Sequence, residues 1–200
     1  MKIEETKTTI EYYNNNAEQF VDTTKGVDFA NFQMHFLSKL PHGGKILDFG
    51  CGSGRDTRYF LNQGYRVVAI DGSERLCKLA SEYTGISVKN MLFQELADVE
   101  IYDGVWACSS ILHLPYDDLK EVMKKIATAL KEQGIFYTSF KYGTFEGKRN
   151  GRYYTDMSEE KFADLVKVIP VFEMEEQWVT TDVRPEREEE KWLNVMLRKI

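Results

Sequence analysis

Lys45-Ile46-Leu47-Asp48-Phe49-Gly50-Cys51-Gly52-Ser53-Gly54 is the stretch on which the fold turns. A short apolar run ends in an acid, Asp48, and three glycines then occupy alternate positions before a helix-forming segment opens at Arg55. Strand, glycine turn and helix N-terminus in that order make a cradle for a nucleotide-like ligand. The turn lets a ligand approach the backbone, and the helix start offers free N–H groups.

Outward from that cradle the pattern alternates. Arg55–Gln63 reads as a helix stopped by Gly64, Arg66–Ile70 as a second strand, and Ser73 as the N-cap of a helix to Tyr83, with Glu74 suited to its first turn. Ile86–Lys89 is expected to be a short third strand and Asp103–Cys108 a fourth. Tyr116–Leu130 follows as a helix with Leu119, Val122, Met123, Ile126 and Leu130 inward, then Gly134–Phe140 as a fifth strand. Nearly continuous apolar strands separated by helices imply a parallel sheet covered on both faces. Beyond it, Lys141 to Met157 reads as a long polar and aromatic loop and Ser158–Val168 as a capped helix. Phe172–Thr180 and Lys191–Lys199 are two strands with no helix between them, so they are antiparallel neighbours. The acidic run Glu186 to Glu190 reads as their exposed turn. Upstream, Lys7 to Val21 and Phe29 to Leu40 are amphipathic helices, the second ended by Pro41-His42-Gly43-Gly44.

The expectation is one α/β domain over 1–200. It is a Rossmann-like, mostly parallel sheet of seven strands with an antiparallel C-terminal hairpin and helices on both faces. Residues 1–42 make a helical cap, 43–141 a cofactor-binding half, and 142–200 a substrate loop and hairpin. The 200 residues carry a formal net charge of −6, which disfavours a general nucleic-acid binder. Cys51, Cys77 and Cys108 are odd in number and show no Cys-x-x-Cys spacing, so neither a disulfide framework nor a metal site is expected. The polar N-terminus and the lack of an apolar run near the roughly 20 residues that span a bilayer predict a cytoplasmic protein with no membrane partner.

The glycine spacing discriminates among nucleotides. Dinucleotide binders use Gly-x-Gly-x-x-Gly, but the third position is Arg55 counted from Gly50 and Thr57 counted from Gly52. No Gly-Lys-Ser/Thr follows, so the loop is not a P-loop either. Ile46 through Gly54 instead resembles the first motif of class I S-adenosylmethionine-dependent methyltransferases. Asp71 ending the second strand, Tyr102-Asp103 opening the fourth and Ile111-Leu112-His113-Leu114-Pro115 after it continue the resemblance over about two-thirds of the chain. Tyr12-Tyr13 with Ala17 and Phe20, and Phe140-Lys141-Tyr142-Gly143, look closest to the small-molecule branch that contains tellurite-resistance methyltransferases.

That resemblance implies S-adenosylmethionine as cofactor and assigns its site. Gly50, Cys51, Gly52 and Gly54 leave room for the methionine portion, and Asp71 accepts from the ribose hydroxyls. Asp48 orients the loop or meets the methionine ammonium through water, its alternative being a loop-capping acid. Leu92 and Phe93 flank adenine, whose amino group turns to backbone atoms or Gln94 because the family's usual acid is replaced by Leu92; Phe93 reads equally as core. Cys108 and Ser109 lie under the methionine and the transferring methyl, with Cys108 otherwise a small buried hydrophobe. Tyr13 belongs to the cap over the cofactor. His113 is the candidate general base, or a structural histidine. Tyr12, Lys141, Tyr142, Arg149 and Arg152 are candidate contacts to a small acceptor, possibly anionic or a metalloid oxyanion. No Asn/Asp-Pro-Pro-aromatic tetrapeptide follows the fourth strand and no Pro precedes a Cys, against a nucleic-acid acceptor. A non-catalytic cofactor-binding module and a nicotinamide-dependent oxidoreductase are the alternatives.

Overall fold

The computed structural model describes residues 3–184 and 187–200. Nine strands and seven α-helices are placed among them: α1 Ile3–Asn15, α2 Ala17–Thr24, α3 Ala30–Leu37, β1 Lys45–Phe49, α4 Arg55–Asn62, β2 Arg66–Asp71, α5 Glu74–Thr84, β3 Lys89–Asn90, β4 Tyr102–Ala107, α6 Tyr116–Ala129, β5 Leu130–Lys141, β6 Glu146–Arg149, β7 Arg152–Thr155, α7 Glu159–Lys167, β8 Phe172–Thr181 and β9 Lys191–Lys199. Seven strands form one sheet in the order β3-β2-β1-β4-β5-β9-β8. The first five run parallel, and β9 is antiparallel both to β5 and to β8.

Alternation along the central strands sends side chains to two cores. Leu47, Phe49, Val105 and Phe136 pack on one face with Leu119, Val122, Met123 and Ile126 of α6 and Phe162 of α7. Ile46, Trp106, Ile135 and Tyr137 point to the other face, against Phe36 of α3 and Phe60 of α4. Ser73 and Ser158 cap α5 and α7 as their sequence positions predict, each hydroxyl accepting from the N–H three residues on, Leu76 at 3.1 Å and Lys161 at 3.2 Å.

Four sequence expectations are corrected. The helix over Lys7 to Val21 is two helices, because Asn16 leaves helical geometry (φ −120°, ψ 19°). Strand three is Lys89–Asn90 rather than Ile86–Lys89. The polar loop from Lys141 to Met157 contains a hairpin, β6–β7, which buries Tyr153, Tyr154 and Thr155 on the C-terminal edge of the domain. Finally, the turn between β8 and β9 is not wholly solvated. Glu188 and Glu189 are exposed and Glu186 lies outside the described residues, but Lys141 forms an ion pair with Glu190, and Asp182 is buried beneath the turn.

Candidate active site

The strand ends at the carboxyl edge of β1, β2, β4 and β5 open into one cavity, which the N-terminal helices roof and the terminal hairpin flanks. The roof is held at several points. Asn14 Oδ1 accepts from Ser73 Oγ at 2.7 Å and from the Arg75 N–H at 3.2 Å, Glu18 pairs with Arg75, and Thr9 Oγ1 accepts the Tyr153 N–H at 3.0 Å. Phe20 of α2 reaches down to the glycine loop. A Cβ on Gly52, whose φ is +54°, would lie 3.0 Å from its ring, so a side chain there would push the roof away.

Gly50, Cys51, Gly52, Asp71, Leu92, Phe93, Cys108, Ser109, Tyr13 and His113 line the cavity. Gly54 does not; its φ of +79° starts α4, and its Cβ would meet Thr84 Cγ2 at 2.8 Å, so it serves close packing on α5. Asp48 sits behind the loop, away from the cavity lining, where Thr57 Oγ1 donates to its Oδ2 at 2.5 Å. Burial, with the like charge of Asp56 nearby, pushes the Asp48 carboxyl up to about 8.

Asp71 accepts the Gly52 N–H at 2.9 Å on Oδ2 and the Ser73 N–H at 2.8 Å on Oδ1. A carboxylate has about four acceptor positions, so this one can take two further donors from the cavity. Gln94, beside Leu92 and Phe93 in the cavity wall, carries a buried Oε1 with no hydrogen-bond partner. A buried acceptor without a donor is costly and marks a place for a ligand N–H. Ser109 has φ +52°, the left-handed region that a serine rarely adopts, and its N–H is held by Ser139 Oγ at 2.9 Å. Burial pushes the neighbouring Cys108 thiol up to about 12, so it is a neutral wall there.

His113 is fully enclosed by two hydrogen bonds. Its Nδ1 lies 2.6 Å from the Tyr153 carbonyl oxygen and must donate to it, so Nε2 accepts the Tyr13 hydroxyl at 2.9 Å. Burial lowers the pKa to about 4 against the favourable Tyr153 carbonyl, with Arg152 and Arg149 adding to the fall. A neutral, doubly bonded imidazole holds Tyr13 in place and is a poor proton acceptor at neutral pH. An unfolded histidine titrates near ~6.5, so the folded state refuses a proton that the unfolded state accepts as pH falls. This contribution to stability is complete above the unfolded value and is lost on descending toward pH 4. His113→Gln is therefore expected to narrow the loss of urea stability between pH 7.5 and pH 4.5; an unchanged gap would contradict the neutral buried assignment.

Of the candidate acceptor contacts, only Arg152 lines the cavity. Lys141 is occupied by Glu190 and the Trp192 ring, the Tyr142 hydroxyl donates to Glu159 at 2.7 Å, and Arg149 makes two bonds to Asp156 at 2.9 and 3.1 Å. Tyr12 stacks on Arg152 behind the lining. Sequence reasoning missed Arg55 and Asp56, which line the cavity as an ion pair, and Arg184, which the turn folds back over it beside Asp182. Burial opposes ionisation of Asp182, yet Arg184 and the Trp192 N–H hold it down to about 2.

Residues 46–134 match the family described as a methyltransferase domain. That segment runs from β1 into β5 and carries the glycine loop and Asp71. A Bacillus subtilis protein that carries a methyltransferase name, YqeM, is 31% identical over 116 residues, covering 52% of this chain and 47% of that protein. The chain spans less than half the length of the curated relatives it matches. Among solved structures, the Burkholderia thailandensis 1,6-didemethyltoxoflavin-N1-methyltransferase, crystallised with 1,6-didemethyltoxoflavin and S-adenosylhomocysteine, is 22% identical. It superposes with a TM-score of 0.80 over 100% of this chain and 90% of that one. A TehB-like S-adenosylmethionine-dependent methyltransferase from Corynebacterium glutamicum is 18% identical, with a TM-score of 0.69 over 96% and 98% of the two chains. The chain shares the fold of these two structures, a seven-stranded, mostly parallel sheet with an antiparallel C-terminal strand pair. Among the described residues no helix is long and apolar enough to cross a membrane.

Proposed function

We propose that this chain transfers a methyl group from S-adenosylmethionine to a small-molecule acceptor. The observation that carries the proposal is a cavity at the carboxyl edge of the sheet that offers two unspent acceptors suited to that cofactor. Asp71 has lone pairs for a vicinal diol, and the orphaned Gln94 Oε1 suits an exocyclic amino group. S-adenosylmethionine would supply an electrophilic methyl on a sulfonium, for in-line attack by an acceptor lone pair with loss of S-adenosylhomocysteine as the C–S bond breaks.

The residues do the rest by placement. Asp71 and Gln94 fix the nucleoside end, while Gly50 and Gly52 keep side chains off the loop. The walls of Cys108 and Ser109 offer the reacting region a thiol that stays protonated. Tyr13 and Phe20 close the roof and exclude water. With His113 neutral and its two nitrogens occupied, the site suits an acceptor that attacks without losing a proton or sheds it to solvent. The acceptor in this reading is a small molecule, an anion or a metalloid oxyanion among the candidates. Nucleic-acid and membrane partners play no part in this reading, and the cytoplasm is its setting.

Titration calorimetry with S-adenosylhomocysteine, followed by a product-release assay over small acceptors including selenite and tellurite, tests the proposal. Micromolar cofactor-product binding and release with at least one acceptor are expected. Binding with no release against any acceptor would favour a sensing module, and no binding would end the proposal.

A further inference from the structure

Among the described residues four arginines line the cavity, and three of them are already neutralised. Arg55 pairs with Asp56 at 2.8 Å, Arg184 with Asp182 at 2.5 Å, and Arg187 with Glu190 at 3.5 Å. Arg152 has no carboxylate partner among the described residues. Its guanidinium is held by rings, 4.5 Å from the centroid of Tyr12, 5.3 Å from Tyr154 and 5.7 Å from Tyr13. Its only hydrogen bond among the described residues is a long one, from Nη1 to the Tyr13 hydroxyl at 3.4 Å, and the buried Nε–H has no acceptor among them.

An uncompensated cation is costly to hold partly out of water unless something supplies the countercharge. Tyrosine rings surround the guanidinium without supplying a countercharge, and its Nε–H lacks an acceptor, which suits a carboxylate. Part of the remaining wall is apolar, with Val27 and Phe29 after α2, Phe32 of α3, Leu114, and Trp192 at the start of β9, while Thr180, Thr181 and Asn194 of the terminal hairpin add hydroxyl and amide groups. A compact hydrated oxyanion would leave those walls uncovered, whereas an organic acid with a flat hydrophobic body would bury them.

We infer that the acceptor is an aromatic or similarly flat organic acid whose carboxylate is bound by Arg152, the specificity-determining residue of the site. The inference rests on the methyltransferase reading and narrows it away from metalloid oxyanions. Arg152 recognises the charge, and the aromatic walls recognise the body. With its proton given to His113 Nε2, the Tyr13 oxygen accepts only the long Nη1 bond from Arg152, and the Nε–H stays without an acceptor.

Calorimetry on the S-adenosylhomocysteine-loaded protein tests this with matched probes: 4-hydroxybenzoate against 4-hydroxybenzamide, indole-3-acetate against indole-3-acetamide, and selenite and tellurite alone. At least one acid is expected to bind about tenfold more tightly than its amide, the worth of one charge-assisted contact. In Arg152→Gln the acid and amide affinities should converge while affinity for S-adenosylhomocysteine changes less than about twofold; Arg152→Lys should keep part of the preference. Acids no tighter than their amides, a preference that survives Arg152→Gln, or an oxyanion that outbinds every organic acid would each overturn the inference. Failure of the wild-type protein to bind S-adenosylhomocysteine would instead overturn the methyltransferase reading beneath it. The acid-to-amide comparison in the wild-type protein decides the matter even if a variant fails to fold.

Discussion

Replacing Asp56 with alanine is expected to destabilise the fold by about 3–5 kcal/mol, the cost of leaving a buried cation without its partner. The carboxylate is 7% exposed and accepts four bonds: Gln33 Nε2 at 2.6 Å, Arg55 Nε at 2.8 Å, Arg55 Nη2 at 2.9 Å and Trp106 Nε1 at 2.8 Å. Burial works against its ionisation, but Arg55 and the Trp106 and Gln33 donors hold it below the ordinary carboxylate range. One side chain thus ties α3, the helix that opens the glycine loop and the central strand β4 together. Without it the Arg55 guanidinium keeps, among the described residues, a 3.8 Å contact to Cys108 Sγ and its place over the Phe29 ring, 4.5 Å from the centroid. For a domain of this size the melting temperature should fall by about 10 °C. Asp56→Asn, which keeps shape and one acceptor, should fall less. Thermal melts of both variants read the difference, and a drop below about 1 kcal/mol for alanine would mean that solvent reaches Arg55 easily.

That quartet shows where the sequence was silent. Asp56 is an acid in the first turn of α4, a position that suits the helix dipole whatever its tertiary partners. Its true partners, Gln33 and Trp106, lie 23 and 50 residues away, so only tertiary packing reveals the cluster. Arg184 was hidden for a related reason: a charged turn reads as solvated until the hairpin's direction at the carboxyl edge is known. The β6–β7 hairpin carried a signal that went unused. Asn150-Gly151, with φ of +52° and +77°, is the dipeptide of a tight hairpin turn, set between residues too polar to read as strands. Local features were legible. The glycine register, the acid ending β2 and the serine caps act within a few residues, and the missing helix between β8 and β9 forces antiparallel pairing.

Alanine at Asp71 is expected to weaken S-adenosylhomocysteine binding by about 1.5–3 kcal/mol, roughly ten- to 150-fold, the range for hydrogen bonds to a charged group. The carboxylate is pre-positioned for that task. It stands at the C-terminal end of β2 with each oxygen fixed by one backbone N–H, Gly52 from the loop and Ser73 from the α5 cap. Burial raises its pKa and those two N–H groups oppose the rise. A vicinal diol donating to the two oxygens would complete their shells without moving the chain. Alanine removes both acceptors and leaves the Gly52 and Ser73 N–H groups to water at the cavity edge, so stability should change much less than affinity. Asparagine separates the causes: it keeps one acceptor oxygen, turns the other into a donor and removes the charge. If charge and acceptor geometry matter together, Asp71→Asn should lose nearly as much affinity as Asp71→Ala while melting close to the wild-type protein. Calorimetry showing unchanged affinity in both variants would remove Asp71 from the ribose site. Equal losses of affinity and stability would instead make its main role the anchoring of the glycine loop through the Gly52 N–H.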